Sequence, residues 1–279
     1  MKEQFSAKAG AIGIFDSGYG GLTVLSGIRA IMPGYDYIYL GDNARAPYGN
    51  RSFERVYEFT LEAVKWFFSQ GCHLVILACN TASAKALRTI QQANLPAIDP
   101  QRRVLGVIRP TAESVEGLSN TGHIGVLGTE GTIQSRSYEI EIKKLHPHLT
   151  VTGEACPMWV PLVENREYDK PGADYFVKQH IKRLLERDPL IDTIILGCTH
   201  YPLLMQKINQ YLPENVKAIA QARYIAESLN DYLKRHPEMD KKCTKNGTVK
   251  YFTTESPGKF KQLASLFLNE QIDAGQTTL

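Results

Sequence analysis

Two segments of the chain carry the residues most capable of chemistry, and they rhyme: Val75-Ile76-Leu77-Ala78-Cys79-Asn80-Thr81-Ala82 and Ile194-Ile195-Leu196-Gly197-Cys198-Thr199-His200-Tyr201. Each is an apolar, β-branched run ending in a small residue, a cysteine and then amide or hydroxyl side chains. Such a run reads as a parallel strand buried on both faces. The polar turn after it sets the thiol at the sheet's C-terminal edge, where open α/β sheets bind ligands. Taken singly, a free cysteine is a small buried hydrophobe. Two at equivalent places, each followed by polar side chains, imply one cleft with a thiol on either side. Such a pair can take a proton from one face of a carbon and return one to the other. At a helix start each thiol is expected to feel the positive end of the helix dipole, which lowers its pKa.

Other groups stand where they can assist. Asp16-Ser17-Gly18-Tyr19-Gly20-Gly21 follows the first apolar run of the chain. Its glycines let the backbone approach a ligand, and the N–H groups opening the next helix suit an anion. Neither a G-x-G-x-x-G spacing nor a Walker lysine motif is present, so a small carboxylate fits better than a nucleotide. Asp16 can instead be a helix N-cap. Asn80-Thr81 and Thr199-His200 offer donors for a carboxylate or partners for an ammonium, or cap the helices they precede. His200, two residues from Cys198, suits a proton relay or an orienting role. Tyr48-Gly49 lines the cleft or simply turns the chain. Cys156 reads as packing, Glu164 on its own as a surface carboxylate, and Cys72 and Cys243 as structural.

The elements that must position these groups alternate. Strands are predicted at 11–15, 37–40, 74–78, 104–108, 124–127, 150–153, 193–196, 216–219 and 249–253. Helices are predicted between them at 22–31, 52–70 with Ser52 as N-cap, 82–93, 132–145, 173–187, 203–212, 222–235 and 258–268. The alternation predicts mostly parallel sheets flanked by helices. The halves echo: Ile12-Gly13-Ile14 opens one, and Ile124-Gly125-Val126 sits at a corresponding place in the other. A first α/β domain of residues 1–103 plus 222–279 and a second of 104–221 follow, with crossovers at 96–103 and 218–221. Residues 274–279 are expected to fray.

Bulk properties bound the function. Of 279 residues, 43% are hydrophobic and 22% charged, with a net charge of +3, too small for a nucleic-acid or membrane footprint. No apolar run approaches the ~18 residues of a membrane span. Residues 1–8 are polar and lack the apolar core of an export signal. Five cysteines, with no CxxC pair, fit a reducing cytosol. His/Cys spacings suggest no metal.

Together, Asp16-Ser17-Gly18 with Gly20-Gly21, Gly41-Asp42, Pro47-Tyr48-Gly49, Ala78-Cys79-Asn80-Thr81-Ala82, Gly128-Thr129 with Gly131-Thr132, Cys156-Pro157, Val160-Pro161-Leu162-Val163-Glu164 and Leu196-Gly197-Cys198-Thr199-His200-Tyr201-Pro202 resemble the glutamate racemases of the aspartate/glutamate racemase superfamily. The likeness implies an isomerase of the bacterial cytoplasm that needs no cofactor and supplies D-glutamate for peptidoglycan. It implies a homodimer whose pseudo-symmetric α/β domains hold glutamate in the cleft between them, with no nucleic-acid or membrane partner. By the same resemblance Cys79 takes the α-proton from D-glutamate and Cys198 from L-glutamate, helped by Asp16 and His200 respectively. Asp16, Ser17, Tyr48, Gly49, Asn80, Thr81, Thr129, Thr132, Thr199 and His200 would contact substrate, with Glu164 a carboxylate near the site. Rival readings are a racemase of aspartate or another small acid, a member with an added gyrase-binding role, and thiol–disulfide exchange. The chain departs from the family pattern at Asn43, where Thr is expected, and in a longer link at 99–103. A third departure is Ala220-Gln221-Ala222-Arg223, where many relatives have Asp-Ser or Asn-Ser.

Overall fold

In the computed structural model, which describes residues 8–279, the apolar runs form ten parallel strands in two sheets. Along the chain these are β1 (Ile12–Asp16), helix α1 (Gly21–Ile31), β2 (Tyr37–Gly41), α2 (Phe53–Ser69), β3 (Leu74–Leu77), α3 (Asn80–Lys85), β4 (Arg103–Gly106) and α4 (Ile108–Ser114). Then come β5 (His123–Gly128), α5 (Glu130–Gln134), α6 (Ser137–Leu145), β6 (Thr150–Ala155), α7 (Trp159–Glu164), α8 (Pro171–Arg187), β7 (Thr193–Gly197) and β8 (Lys217–Ile219). The chain closes with α9 (Ala222–Arg235), β9 (Val249–Thr253), α10 (Pro257–Leu268) and β10 (Ala274–Gln276). Residues 1–7, which hold most of the segment read as lacking an export signal, lie outside the described residues. Among the described residues no helix is long and apolar enough to cross a membrane.

The first sheet runs β10-β9-β2-β1-β3-β4 and the second β6-β5-β7-β8. The order 2-1-3-4 thus repeats as 6-5-7-8. In each sheet the chain steps from the leading strand to one side and returns to the other, which makes the β1/β3 and β5/β7 boundaries topological switch points. The registers agree too: Gly13 pairs with Val75 and Gly125 with Ile194. β1, β2, β3 and β7 are buried at every residue because helices cover both faces. α1, α9 and α10 pack on one face of the first sheet and α2 on the other.

The sequence expectations shift in four places. Arg103–Gly106 pairs with β3 in the first sheet, Leu74 opposite Arg103 and Leu77 opposite Gly106. The boundary expected at 103/104 therefore falls inside a strand, and the chain leaves the first sheet only after Gly106. The helix expected at 82–93 begins earlier, at Asn80, and breaks beyond Lys85. It continues as a wide turn in which the Leu95 N–H reaches the Ile90 carbonyl, just before Pro96, which has no N–H to continue the ladder. The helix expected at 132–145 divides at Arg136, whose φ of 54° is left-handed. Residues 274–276, expected to fray, form an edge strand on β9, held further by Thr277 N–H on the Thr253 carbonyl at 2.9 Å.

Candidate active site

The residues singled out in the sequence collect at the C-terminal edges of the two switch points. Asp16 ends β1 and Cys79 follows β3; Thr129 follows β5 and Cys198 follows β7. Both thiols are buried, each keeping 6% exposure.

Around Cys79, the Ser17 hydroxyl and the Ala82 N–H both lie 3.4 Å from the sulfur, with Cys79 in the N-cap position of α3. Burial nevertheless dominates, and with the Asp16 charge beside it pushes the thiol up to about 12. The expectation that a helix start lowers the pKa fails here because the bonds from Ser17 and Ala82 do not offset desolvation. Asp16 is fully buried, and burial raises its carboxyl although the His200 charge works against it. Its Oδ2 accepts the Gly18 N–H at 3.0 Å, while Oδ1 has no hydrogen-bond partner among the described residues. The Gly21 N–H also approaches the carboxyl and, with Gly18, favours its charged form against burial.

Around Cys198 the electrostatics differ. His200 Nδ1 is 3.9 Å from the Cys198 sulfur, and its Nε2 is 3.0 Å from Glu164 Oε1. Burial alone would lower this imidazole, but its hydrogen bonds to Cys198 and Glu164 override burial and raise it to about 10. Those contacts favour the protonated imidazole, which can donate from both nitrogens. Glu164, which its own sequence context made a surface carboxylate, comes from the end of α7. Trp159, fully buried in the first turn of α7, lies edge-on to Tyr201 at 4.8 Å and ties that helix down beside the His200 turn. Gly20 sits against this turn: a Cβ there would lie 2.2 Å from Thr199 Oγ1 and 2.5 Å from His200 Nδ1. The Thr23 hydroxyl reaches the Thr199 carbonyl at 3.2 Å. Cys156 is buried beneath, its carbonyl accepting the Tyr201 hydroxyl at 3.1 Å.

The remaining groups join the two halves. Thr81 Oγ1 lies 2.9 Å from Thr129 Oγ1 and 3.4 Å from Thr132 Oγ1, and Thr129 N-caps α5. Next to them the Gly131 N–H donates to the Gly49 carbonyl at 2.8 Å, and a Cβ on Gly49 would strike Thr129 Cβ at 2.9 Å. A cleft of about 490 Å³, lined by residues 49–54, Lys85, Glu130 and Gln134, opens beside this contact. Tyr48 is buried against Phe15 and Phe59 and donates its only proton to Asp42 Oδ2 at 2.5 Å. Asn80 is held by two residues that sequence reasoning missed, Tyr138 and Gln221. Gln221 carried a signal, since it lies in a stretch that departs from the family pattern; Tyr138 carried none.

Residues 23–229 match the Asp/Glu/hydantoin racemase family. A glutamate racemase of Geobacter metallireducens is 39% identical over 96% of this chain and 97% of its own. The crystal structure of a glutamate racemase isoform from Bacillus anthracis superposes with a TM-score of 0.88 at 39% identity, covering 98% of each chain. That of Francisella tularensis, solved in complex with D-glutamate, gives 0.85 at 29% identity over 96% of this chain and 97% of its own.

Proposed function

The chain belongs to the Asp/Glu/hydantoin racemase family and is an amino-acid racemase, and from that premise we propose that it interconverts L- and D-glutamate with Cys79 and Cys198 as its two bases, supplying D-glutamate for peptidoglycan. The observation that carries the reading is the pair of thiols at equivalent switch points, each beside its own ionisable partner. D-Glutamate bound to the Francisella relative supports the choice of substrate.

The two thiols stand in different surroundings. Cys79, pushed up to about 12, is a thiol at neutral pH. The His200 imidazolium, anchored by Glu164, is a ready charge partner for a Cys198 thiolate. With L-glutamate, Cys198 acts as the thiolate base: it takes the α-proton, and the electron pair is left on the α-carbon. The Cys79 S–H then delivers its proton to the opposite face, giving D-glutamate, a Cys198 thiol and a Cys79 thiolate. D-Glutamate runs the same steps backwards. The α-proton is a very weak acid, so fixed donors and exclusion of water must stabilise the carbanion-like transition state. In this scheme Thr81, Thr129, Thr132, Ser17 and one Asn80 amide hydrogen hold the carboxylates. In the same scheme Asp16 receives the substrate ammonium. That cation, once bound, favours the Cys79 thiolate that burial opposes.

Solvent isotope incorporation tests the scheme. In D2O with L-glutamate and no added cofactor, the first D-glutamate formed carries deuterium at the α-carbon while unreacted L-glutamate keeps protium. D-Glutamate that retains the original proton means a single base returned it, and the two-thiol assignment fails.

A further inference from the structure

The second crossover between the halves ends at Gln221, just before α9. Gln221 occupies the N-cap position of α9, yet its side chain does not cap the helix. It turns inward, 5% exposed, into a ring of buried polar groups drawn from four separate elements. Gln221 Nε2 donates to Thr111 Oγ1 at 2.8 Å and also to the Tyr138 hydroxyl oxygen. Gln221 Oε1 accepts from Asn80 Nδ2 at 2.9 Å. The Tyr138 hydroxyl closes the ring by donating to Asn80 Oδ1 at 2.5 Å. Thr111, Tyr138 and Asn80 are themselves 0%, 3% and 2% exposed.

The direction of every proton in this ring is fixed from one end. The Thr111 hydroxyl donates to the Val107 carbonyl at 3.1 Å, so toward Gln221 its oxygen can only accept. That makes the group facing Thr111 the Gln221 amide nitrogen, and its second hydrogen goes to Tyr138. Burial pushes the Tyr138 hydroxyl up, so it keeps its proton and must pass it to Asn80 Oδ1. The Gln221 carbonyl, left facing Asn80, accepts one amide hydrogen. Asn80 has no freedom to flip: its oxygen faces the Tyr138 proton and its nitrogen the Gln221 carbonyl, which leaves one amide hydrogen without a partner among the described residues. Asn80 is the residue immediately after the Cys79 thiol.

We propose that Gln221 is a positioning residue for the racemisation site: with Tyr138 and Thr111 it fixes the orientation of the Asn80 carboxamide across the junction of the two halves, so that the remaining Asn80 N–H meets the substrate. The proposal rests on the glutamate racemase reading. It explains what a glutamine does at a crossover where the family pattern leads to a different element. A Gln221 that only held the two halves together would affect stability and would act independently of Asn80.

The test is a kinetic cycle on the full-length enzyme with L- and D-glutamate. Gln221→Met keeps the length and removes all three hydrogen bonds; Gln221→Glu keeps the acceptor and removes both donors. Asn80 acts on substrate in ground and transition states alike, so both variants raise KM by about tenfold with kcat within about threefold of the parent. The loss in kcat/KM is equal in both directions, because the equilibrium constant of a racemisation is one. In an Asn80→Ala background, Gln221→Met costs less than about twofold further, since the groups act as one unit. Two results overturn the proposal: kcat/KM within about twofold of the parent in both folded variants, or a full tenfold loss that persists in the Asn80→Ala background. A parent enzyme that fails to racemise glutamate at all defeats the reading of function itself, and is seen before any variant is made.

Discussion

Glu164→Gln isolates one of the two contacts that raise His200, the other being Cys198. The substitution keeps the shape and an oxygen near Nε2 but removes the anion 3.0 Å away. A hydrogen bond to a charged group contributes about 1.5–3 kcal/mol, or roughly one to two pK units. His200, raised to about 10 in the parent, is therefore expected to titrate at roughly 8–9 in the variant. The substrate's own ammonium titrates in the same alkaline range and masks this change in kcat/KM, so the imidazole has to be read directly. The Cε1–H proton resonances of the seven histidines can be followed from pH 6 to 11, with His200 assigned by its loss in His200→Asn. Linkage gives a second readout. The folded pKa of His200 lies above the ~6.5 of an unfolded histidine, so protonation stabilises the fold fully below pH ~6.5, and the gain disappears as pH rises through 10. The variant is thus less stable than the parent by on the order of 2 kcal/mol at pH 7, and by less than ~0.5 kcal/mol at pH 10. A His200 midpoint unmoved by the substitution, or a stability difference that stays constant with pH, refutes the account of this ion pair.

Two more substitutions probe the same site. Cys79→Ser and Cys198→Ser each replace a proton-transfer group by a far weaker acid, and each is expected to lower kcat in both directions by about 10²–10⁴-fold; a variant within a few-fold of the parent would falsify the two-base assignment. Gly20→Ala puts a methyl 2.2 Å from Thr199 Oγ1 and 2.5 Å from His200 Nδ1. It is expected to cost about 1–3 kcal/mol of stability in thermal or urea unfolding and to depress racemisation, whereas an unchanged midpoint would mean that the turn yields freely.

The strands were the most legible part of the sequence, for a physical reason. A parallel strand covered on both faces must be apolar at every position, so Val75–Leu77 and Ile194–Leu196 announce themselves without reference to the rest of the chain. Helix interiors were nearly as plain: Ser52 does cap α2, accepting the Arg55 N–H. What escaped depends on partners far along the chain. Arg103–Gly106 looks like any short strand, and only the open edge of β3 decides that it joins the first sheet. Residues 274–276 read as a tail because the pairing that orders them lies on β9. Arg136 gives no local warning of its left-handed turn, since the residue types that favour that conformation are absent there.

The site divides in the same way. Cys79, Cys198, Asp16 and the threonines were visible because strand ends dictate where they stand. Their protonation states were not, because those depend on burial and on charges that the chain assembles from distant segments. Both halves place a thiol after the third strand of the same topology, and local reasoning assigned both the same helix-dipole environment. The fold then surrounds them unequally: a buried carboxyl beside Cys79, an imidazolium held by a carboxylate beside Cys198. In the proposed two-base reaction, that inequality distinguishes the two thiols. Two identical coupled thiols would share one proton over a range of pH, because each charge opposes the other, and unequal surroundings bias which sulfur keeps it. Under the proposed reaction, the repeated strand order supplies one thiol from each half, and the unequal surroundings bias which of the two holds the proton.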